Sequence, residues 1–226
     1  EGTVLSEDAT TLPLFPHQRR TVRWMLQREL HEPELFHVPQ VRMFYRLYAY
    51  VTGVECEPLA DTAEILHARM PRGGVVAHSV GAGKTVIATA LMAQTAGARS
   101  GTSLCVVPDH IAAQWISEIG RFAPQLRVGL AECPEDLRQD PERWDADHCR
   151  LRALDALVVP FGVLELGPTR VILRDSQPWS RLFVDEPQEA AHRPAIYAAI
   201  VDDLRATHRW ALTATPWPLT RIMEAV

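Results

Sequence analysis

His78-Ser79-Val80-Gly81-Ala82-Gly83-Lys84-Thr85 decides how this chain is read. The stretch follows the short apolar run Val75-Val76-Ala77 and leads into a helix-like segment from Lys84 to about Ala96. Lys84 is the only lysine among 23 lysine and arginine residues. A position that keeps lysine in so arginine-biased a chain needs a compact ammonium on a flexible stem, which a planar guanidinium replaces poorly. Gly-x-Gly-Lys-Thr between a strand and a helix is a phosphate-cradling pattern. Its glycines let backbone N–H groups close on phosphate oxygens, and the helix start adds its positive end. His78 stands where the strict form of the pattern has its first glycine, so the signal rests on Gly81, Ala82, Gly83, Lys84 and Thr85. Lys84 is expected to reach the β- and γ-phosphates of ATP, and Thr85 to hold Mg²⁺ through its hydroxyl.

Working outward, strands alternate with helices. Ser103 to Val107, Arg127 to Leu130, Ala156 to Val159, Leu182 to Asp185 and Trp210 to Thr213 read as strands. Helices are expected from Ile111 to Arg121 and from Pro194 to about Leu204. This alternation predicts an α/β fold of three layers, with a mainly parallel central sheet covered on both faces. Upstream, Pro16 starts a helix in which Val22, Met25, Leu26 and Leu30 share one apolar face. Residues 31–72 read as an insertion. Alternation from Val41 to Tyr50 suggests a strand, turned at Thr52-Gly53, and an amphipathic hairpin is favoured there over a basic-aromatic nucleic-acid surface. The whole chain, 1–226, reads as one lobe: an adenine-reading helix at 12–30, the insertion at 31–72 and a core at 73–226.

Composition narrows the classes. The chain has 226 residues, 47% of them apolar, and a net charge of −5. That balance carries no global basic footprint, so any nucleic-acid contact must use a local patch or helix-start amides. None of the four cysteines forms a Cys-x-x-Cys pair, which argues against a zinc or disulfide framework. Cys133, His148 and Cys149 are three potential ligands, but a solvated polar insertion is the favoured reading. No apolar run approaches the roughly 18 residues of a membrane span, and no signal peptide is evident. No membrane partner is expected. An intracellular compartment fits best, the nucleus if the source is eukaryotic. The first residue is Glu1 rather than methionine, so a piece of a longer protein is expected.

Two further features carry chemistry. Phe183-Val184-Asp185-Glu186 ends an apolar strand in two carboxylates, about a hundred residues after the loop. Asp185 is expected to complete the Mg²⁺ shell, and Glu186 to orient and deprotonate the attacking water. Gln18, in Phe15-Pro16-His17-Gln18, has an amide that can accept from and donate to an adenine edge. Asp109, after Pro108, suits either a backbone contact to nucleic acid or a helix N-cap. Trp115, Phe122 and Trp210 are read as core, and Thr213 and Thr215 as a link between the γ-phosphate side and the nucleic-acid side.

In this order the motifs resemble those of superfamily-two helicase-like ATPases, and most nearly the SWI/SNF-type DNA translocases. Leu14 to Gln18 with Trp24-Met25 and Arg28-Glu29 resembles the adenine-reading motif of the RING-finger-linked branch. Arg72 to Thr85 resembles motif I, and Cys105 to Pro108 with Gln114-Trp115, Glu118-Ile119 and Arg121-Phe122 resembles motif Ia. Asp155 to Phe161 stands in the place of motif Ib, Asp185-Glu186-Pro187-Gln188 in that of motif II, and His208 to Pro216 in that of motif III. The departures are His78-Ser79-Val80 for the usual Asp-Glu-Met, Pro160 for a threonine, Gln188 for a histidine and Ala214 for a glycine. The resemblance spans about residues 12–220. It implies a RecA-like P-loop NTPase lobe that uses ATP and Mg²⁺, in an enzyme that couples ATP hydrolysis to movement on duplex DNA. It also implies a second RecA-like lobe, absent from this segment, that would supply arginine fingers. The segment alone is therefore expected to bind ATP weakly and to turn it over poorly. A viral-type nucleic-acid helicase lobe, or a degenerate non-catalytic protein-binding lobe, are the alternative readings.

Overall fold

The computed structural model describes residues 5–30, 73–96, 101–131, 153–176 and 178–216. The expected hairpin within 31–72, and the segment bearing Cys133, His148 and Cys149, lie outside the described residues. The strands are β1 (Gly73–Ala77), β2 (Ser103–Val107), β3 (Val128–Leu130), β4 (Ala156–Pro160), β5 (Trp179–Asp185) and β6 (Ala206–Thr213). They form a single sheet in the order β1-β6-β5-β2-β4-β3, with every pair parallel. Parallel neighbours require crossovers, and helices supply them.

Period-two alternation sorts the apolar side chains onto two faces. Cys105, Val107, Ala156, Val158, Phe183, Trp210 and Leu212 belong to one buried cluster. Their chain neighbours Leu104, Val106, Leu157, Val159, Leu182 and Val184 belong to the other. The first face is covered by α1 (Pro16–Leu30), α2 (Lys84–Thr95) and α3 (Ala112–Phe122). The second is covered by α4 (Phe161–Leu164), α5 (Gly167–Asp175) and α7 (Pro194–Ala198), with α6 (Pro187–Ala190) leading into α7. This is the three-layer α/β fold expected. Helix α2 packs between α1 and α3, so Val86 to Ala93 are buried on all sides of it.

Three local expectations change. Leu30 is exposed, at 68%, and does not extend the apolar stripe of α1. The inward stripe is Gln18, Val22, Met25 and Leu26, and the last inward position is Glu29. The helix expected from Pro194 to Leu204 is α-helical only to Ala198 and continues as a π-turn over Ala199–Asp203, closed by Leu204 N–H to Ala199 O at 3.0 Å. Asp109 does not cap the helical turn it opens. Its Oδ1 accepts from Gly162 N–H at 2.7 Å and its Oδ2 from Arg193 at 3.0 Å, so the carboxylate ties the β2 end to α4 and α7.

Glu29 reaches a buried arginine. On β5, Arg181, Phe183 and Asp185 share the face toward α1–α3. Arg181 donates through Nε to Glu29 Oε1 at 2.7 Å, and the two side chains are 6% and 4% exposed. Trp210 Nε1–H donates to the same Glu29 Oε1 at 2.9 Å, and Arg181 also reaches Thr95 Oγ1 at 2.9 Å. One carboxylate thus fastens α1 to β5, β6 and, through Arg181, to the end of α2. Such a pair contributes little net stability relative to apolar packing, but losing one partner strands the other charge in the core. Glu29→Ala is expected to lower unfolding free energy by about 3–5 kcal/mol in urea titrations. Changing both partners, Glu29→Leu with Arg181→Met, is expected to recover most of that loss.

At the β3–β4 edge Asp155 accepts from Arg127 N–H at 2.8 Å and from its Nε at 3.0 Å. These bonds hold the Asp155 carboxyl below its ordinary value. A depressed acid contributes stability above its unfolded value and loses it as pH falls through the folded one. The stability advantage over Asp155→Asn is therefore expected at neutral pH and should vanish progressively in acid, as followed by thermal melts across pH.

Candidate nucleotide site

All strands of a parallel sheet end at the same edge, and crevices outside those carboxyl ends are where such sheets take ligands. Here β6 lies between β1 and β5, with Val76 and Asp185 both in register with Leu212. The loop after β1, the acids ending β5 and the threonines ending β6 therefore meet without any long reach.

The loop is shaped by two glycines with left-handed backbone, Gly81 at φ +81° and Gly83 at φ +79°. Gly83 is also the residue before α2, and a Cβ there would lie 2.4 Å from Gln18 Nε2. The glycine is required twice, for its conformation and for the approach of α1. Lys84 and Thr85 open α2, at its positive end. Lys84 Nζ lies 3.6 Å from Glu186 Oε1 and donates to His78 O at 3.3 Å.

Glu186 has φ +46°, alone among the described non-glycine residues in having a positive φ. Residues held this way cost about 1–3 kcal/mol and persist only when surroundings over-determine them. Here its N–H donates to Leu212 O at 2.8 Å, and Oε2 lies 3.0 Å from Thr213 Oγ1. Gln188 Nε2 donates to Glu186 Oε2 at 2.5 Å and to Thr215 Oγ1 at 2.9 Å. Thr213 Oγ1 stands 3.0 Å from Gln188 Oε1 as well. Gln188, the departure noted where the resembling motif II has a histidine, is thus the bridge between the acidic turn and both threonines.

Asp185 is buried, 5% exposed. Its Oδ2 accepts from Trp115 Nε1–H at 2.9 Å, while Oδ1 is buried with no hydrogen-bond partner. Burial pushes its carboxyl up to about 6, and the Glu186 charge adds to that, against the pull of the Trp115 bond and Lys84. An unpartnered buried carboxylate oxygen is costly unless something electropositive meets it. A hard divalent cation such as Mg²⁺ takes oxygen donors, and this orphaned oxygen fits one. The neighbouring Cys105 thiol is fully buried, and burial together with Asp185 pushes it far up, so it stays neutral.

Gln18, expected from the sequence to read adenine, meets the loop directly. Gln18 is 5% exposed; its Oε1 accepts from Phe15 N–H at 2.9 Å and its Nε2 donates to Ala82 O at 3.1 Å. One N–H and one lone pair of that amide are left over. Two histidines join this contact. His17 Nε2 lies 3.0 Å from Ala82 O, and a carbonyl only accepts, so Nε2 carries the hydrogen. Thr21 Oγ1 gives its single hydrogen to His17 O at 3.0 Å, so it accepts from His78 Nε2–H at 2.9 Å. Burial, His17 and Lys84 all hold the His78 imidazole below its ordinary value, keeping it neutral. The residue that breaks the strict loop pattern therefore works as a tie between loop and α1.

Among the described residues Trp115 and Trp210 are core, as expected, but each spends its indole N–H on a carboxylate. Nothing in the apolar spacing of α3 announces that. No group of three or more potential metal-ligating side chains of the His/Cys/Asp/Glu type occurs among the described residues.

Several known proteins are similar to this chain. The chain is 34% identical over 144 residues to the DNA (cytosine-5-)-methyltransferase DMT5 of Cryptococcus neoformans var. grubii, a match covering 58% of this chain and 6% of that protein. It is 28% identical over 153 residues to the chromatin-remodeling ATPase INO80 of Kluyveromyces lactis, covering 63% of this chain and 10% of that protein. It is 24% identical over 146 residues to the putative ATP-dependent helicase/translocase YwqA of Bacillus subtilis, covering 64% of this chain and 15% of that protein. The chain thus spans a small fraction of the curated relatives it matches. The fold superposes on the Sulfolobus solfataricus SWI2/SNF2 ATPase core, solved in complex with dsDNA, with a TM-score of 0.63 and 20% identity, over 99% of this chain and 37% of that one. The family model of the SNF2-related domain matches residues 17–220. With that span matched and the fold of an ATPase core shared across it, the chain belongs to the SNF2-related domain family.

Proposed function

We propose that this chain is the ATP-binding lobe of an ATP-dependent DNA translocase, coupling ATP hydrolysis to movement along duplex DNA. The observation that carries the reading is the meeting of Lys84, Asp185 and Glu186 at one sheet edge, beside the glycine loop. Gly81, Ala82 and Gly83 cradle the phosphates with backbone N–H groups, and the start of α2 adds its positive end. Lys84 leaves Glu186 for the β- and γ-phosphates, which releases Glu186 to orient and deprotonate water. Thr85 and Asp185 would hold Mg²⁺, which when bound would supply positive charge to offset that building on the transferred phosphoryl group. Gln18 reads the adenine edge with the N–H and lone pair it has left. Thr213, Thr215 and Gln188 carry the state of Glu186 toward the nucleic-acid side. Arginine fingers would come from a second RecA-like lobe of the same protein. Duplex DNA as the track follows the family membership and the dsDNA held by the Sulfolobus relative.

The test is calorimetry of Mg²⁺-ATP binding to the full-length protein beside Lys84→Ala, then turnover with and without duplex DNA. Wild-type binding that Lys84→Ala abolishes is expected. Glu186→Gln should keep binding and lower turnover by about 10²–10⁴-fold, the usual worth of a positioned base. A duplex that fails to stimulate wild-type turnover would refute the translocase reading. Strand separation by the full-length protein would favour a helicase instead.

A further inference from the structure

The Trp115–Asp185 bond joins two elements that the nucleotide chemistry alone does not need to join. Trp115 sits in the middle of α3, 1% exposed, and packs with Ala112 and Ile119 along the inward stripe of that helix. Asp185 is the last residue of β5, on the strand face turned toward α3. The ring fills this part of the core. Tryptophan adds one indole N–H, a group that donates and never accepts. It is spent on Asp185 Oδ2 at 2.9 Å, inside a buried environment.

That choice has a geometric result. A carboxylate turns about its last bond, and its two oxygens are equivalent until something distinguishes them. Here Oδ2 is held by the indole and Oδ1 is left buried and unpartnered. We propose that Trp115 is a positioning residue, whose N–H fixes Asp185 so that Oδ1 alone is presented to the divalent cation of the nucleotide site. This rests on the reading of Asp185 as a cation ligand given above. Outer-shell donors of this kind orient the ligand and tune its affinity, and losing one typically costs about 10–100-fold in metal binding.

The experiment reads binding rather than turnover. A slowly hydrolysed ATP analogue, AMP-PNP, is titrated into the full-length protein in EDTA and then across a Mg²⁺ series. The variants are Trp115→Phe and, as a control for packing, Trp115 with its indole replaced by benzothiophene, which exchanges N–H for sulfur in nearly the same shape. The second variant keeps the core filled should Trp115→Phe fail to fold. The expected result is a Mg²⁺ half-saturation raised by about 10-fold or more in the variants, with AMP-PNP affinity in EDTA unchanged. An unchanged Mg²⁺ half-saturation in the benzothiophene variant overturns the proposal. Equal losses with and without Mg²⁺ also overturn it, because they mean that the indole only supports the site's shape. If Mg²⁺ does not strengthen AMP-PNP binding to the wild type, the cation reading of Asp185 fails, and this inference with it.

Discussion

Strand direction is the constraint on which everything else here depends. Because all six strands run the same way, six strand ends that differ widely in sequence position open on one edge. An antiparallel neighbour at β6 would move Thr213 to the opposite end of the molecule, away from Glu186. The same constraint makes both sheet faces apolar, since helices must return the chain on either side. That is why a strand such as β2 is buried along its whole length, and why the few polar side chains on inward faces stand out. Arg181, Asp185 and Thr213 are such positions, and each is answered by a specific partner.

Two acid–base pairs illustrate what burial does with charge. Glu29 and Arg181 are almost fully enclosed and saturated by neighbours, including an indole and a threonine. They fasten α1 to β5, β6 and the end of α2. Lys84 and Glu186 are more open, at 11% and 21% side-chain exposure, and 3.6 Å apart. In the function proposed here, that longer, looser pairing suits groups that part when phosphates bind. Distance and enclosure, not residue type, separate the fastening pair from the working pair.

Much of this was legible in the chain itself. The loop and the acids lie at strand ends and Thr213 ends β6, and short apolar runs placed those strands to within a few residues. Helix α1 followed from its apolar period, yet that period misassigned its last turn, because Glu29 counts as polar until its partner on β5 is known. Helices α4 and α5 were not foreseen. One is a single turn containing Gly162, and the other begins Gly167-Pro168, so neither offers a long periodic signal. Asp109 was read locally, as a cap or a backbone contact, whereas its partners come from 53 and 84 residues away. Contacts across such separations have no signature in spacing. The role of His78 was likewise hidden: the residue marks a broken pattern on paper and a hydrogen bond to Thr21 in three dimensions.

Lys84 has one more consequence, which concerns covalent chemistry. Acetylation, ubiquitination and amine-directed reagents all act on a lysine ε-amine, and this sequence contains one. It lies half-buried beside Glu186, at the mouth of α2. Within these 226 residues, then, no lysine can be acylated harmlessly at the surface. Any acyl group on a lysine side chain would remove the charge beside Glu186 at the proposed phosphate site, and any ligand that covers that place would shield the chain's sole ε-amine.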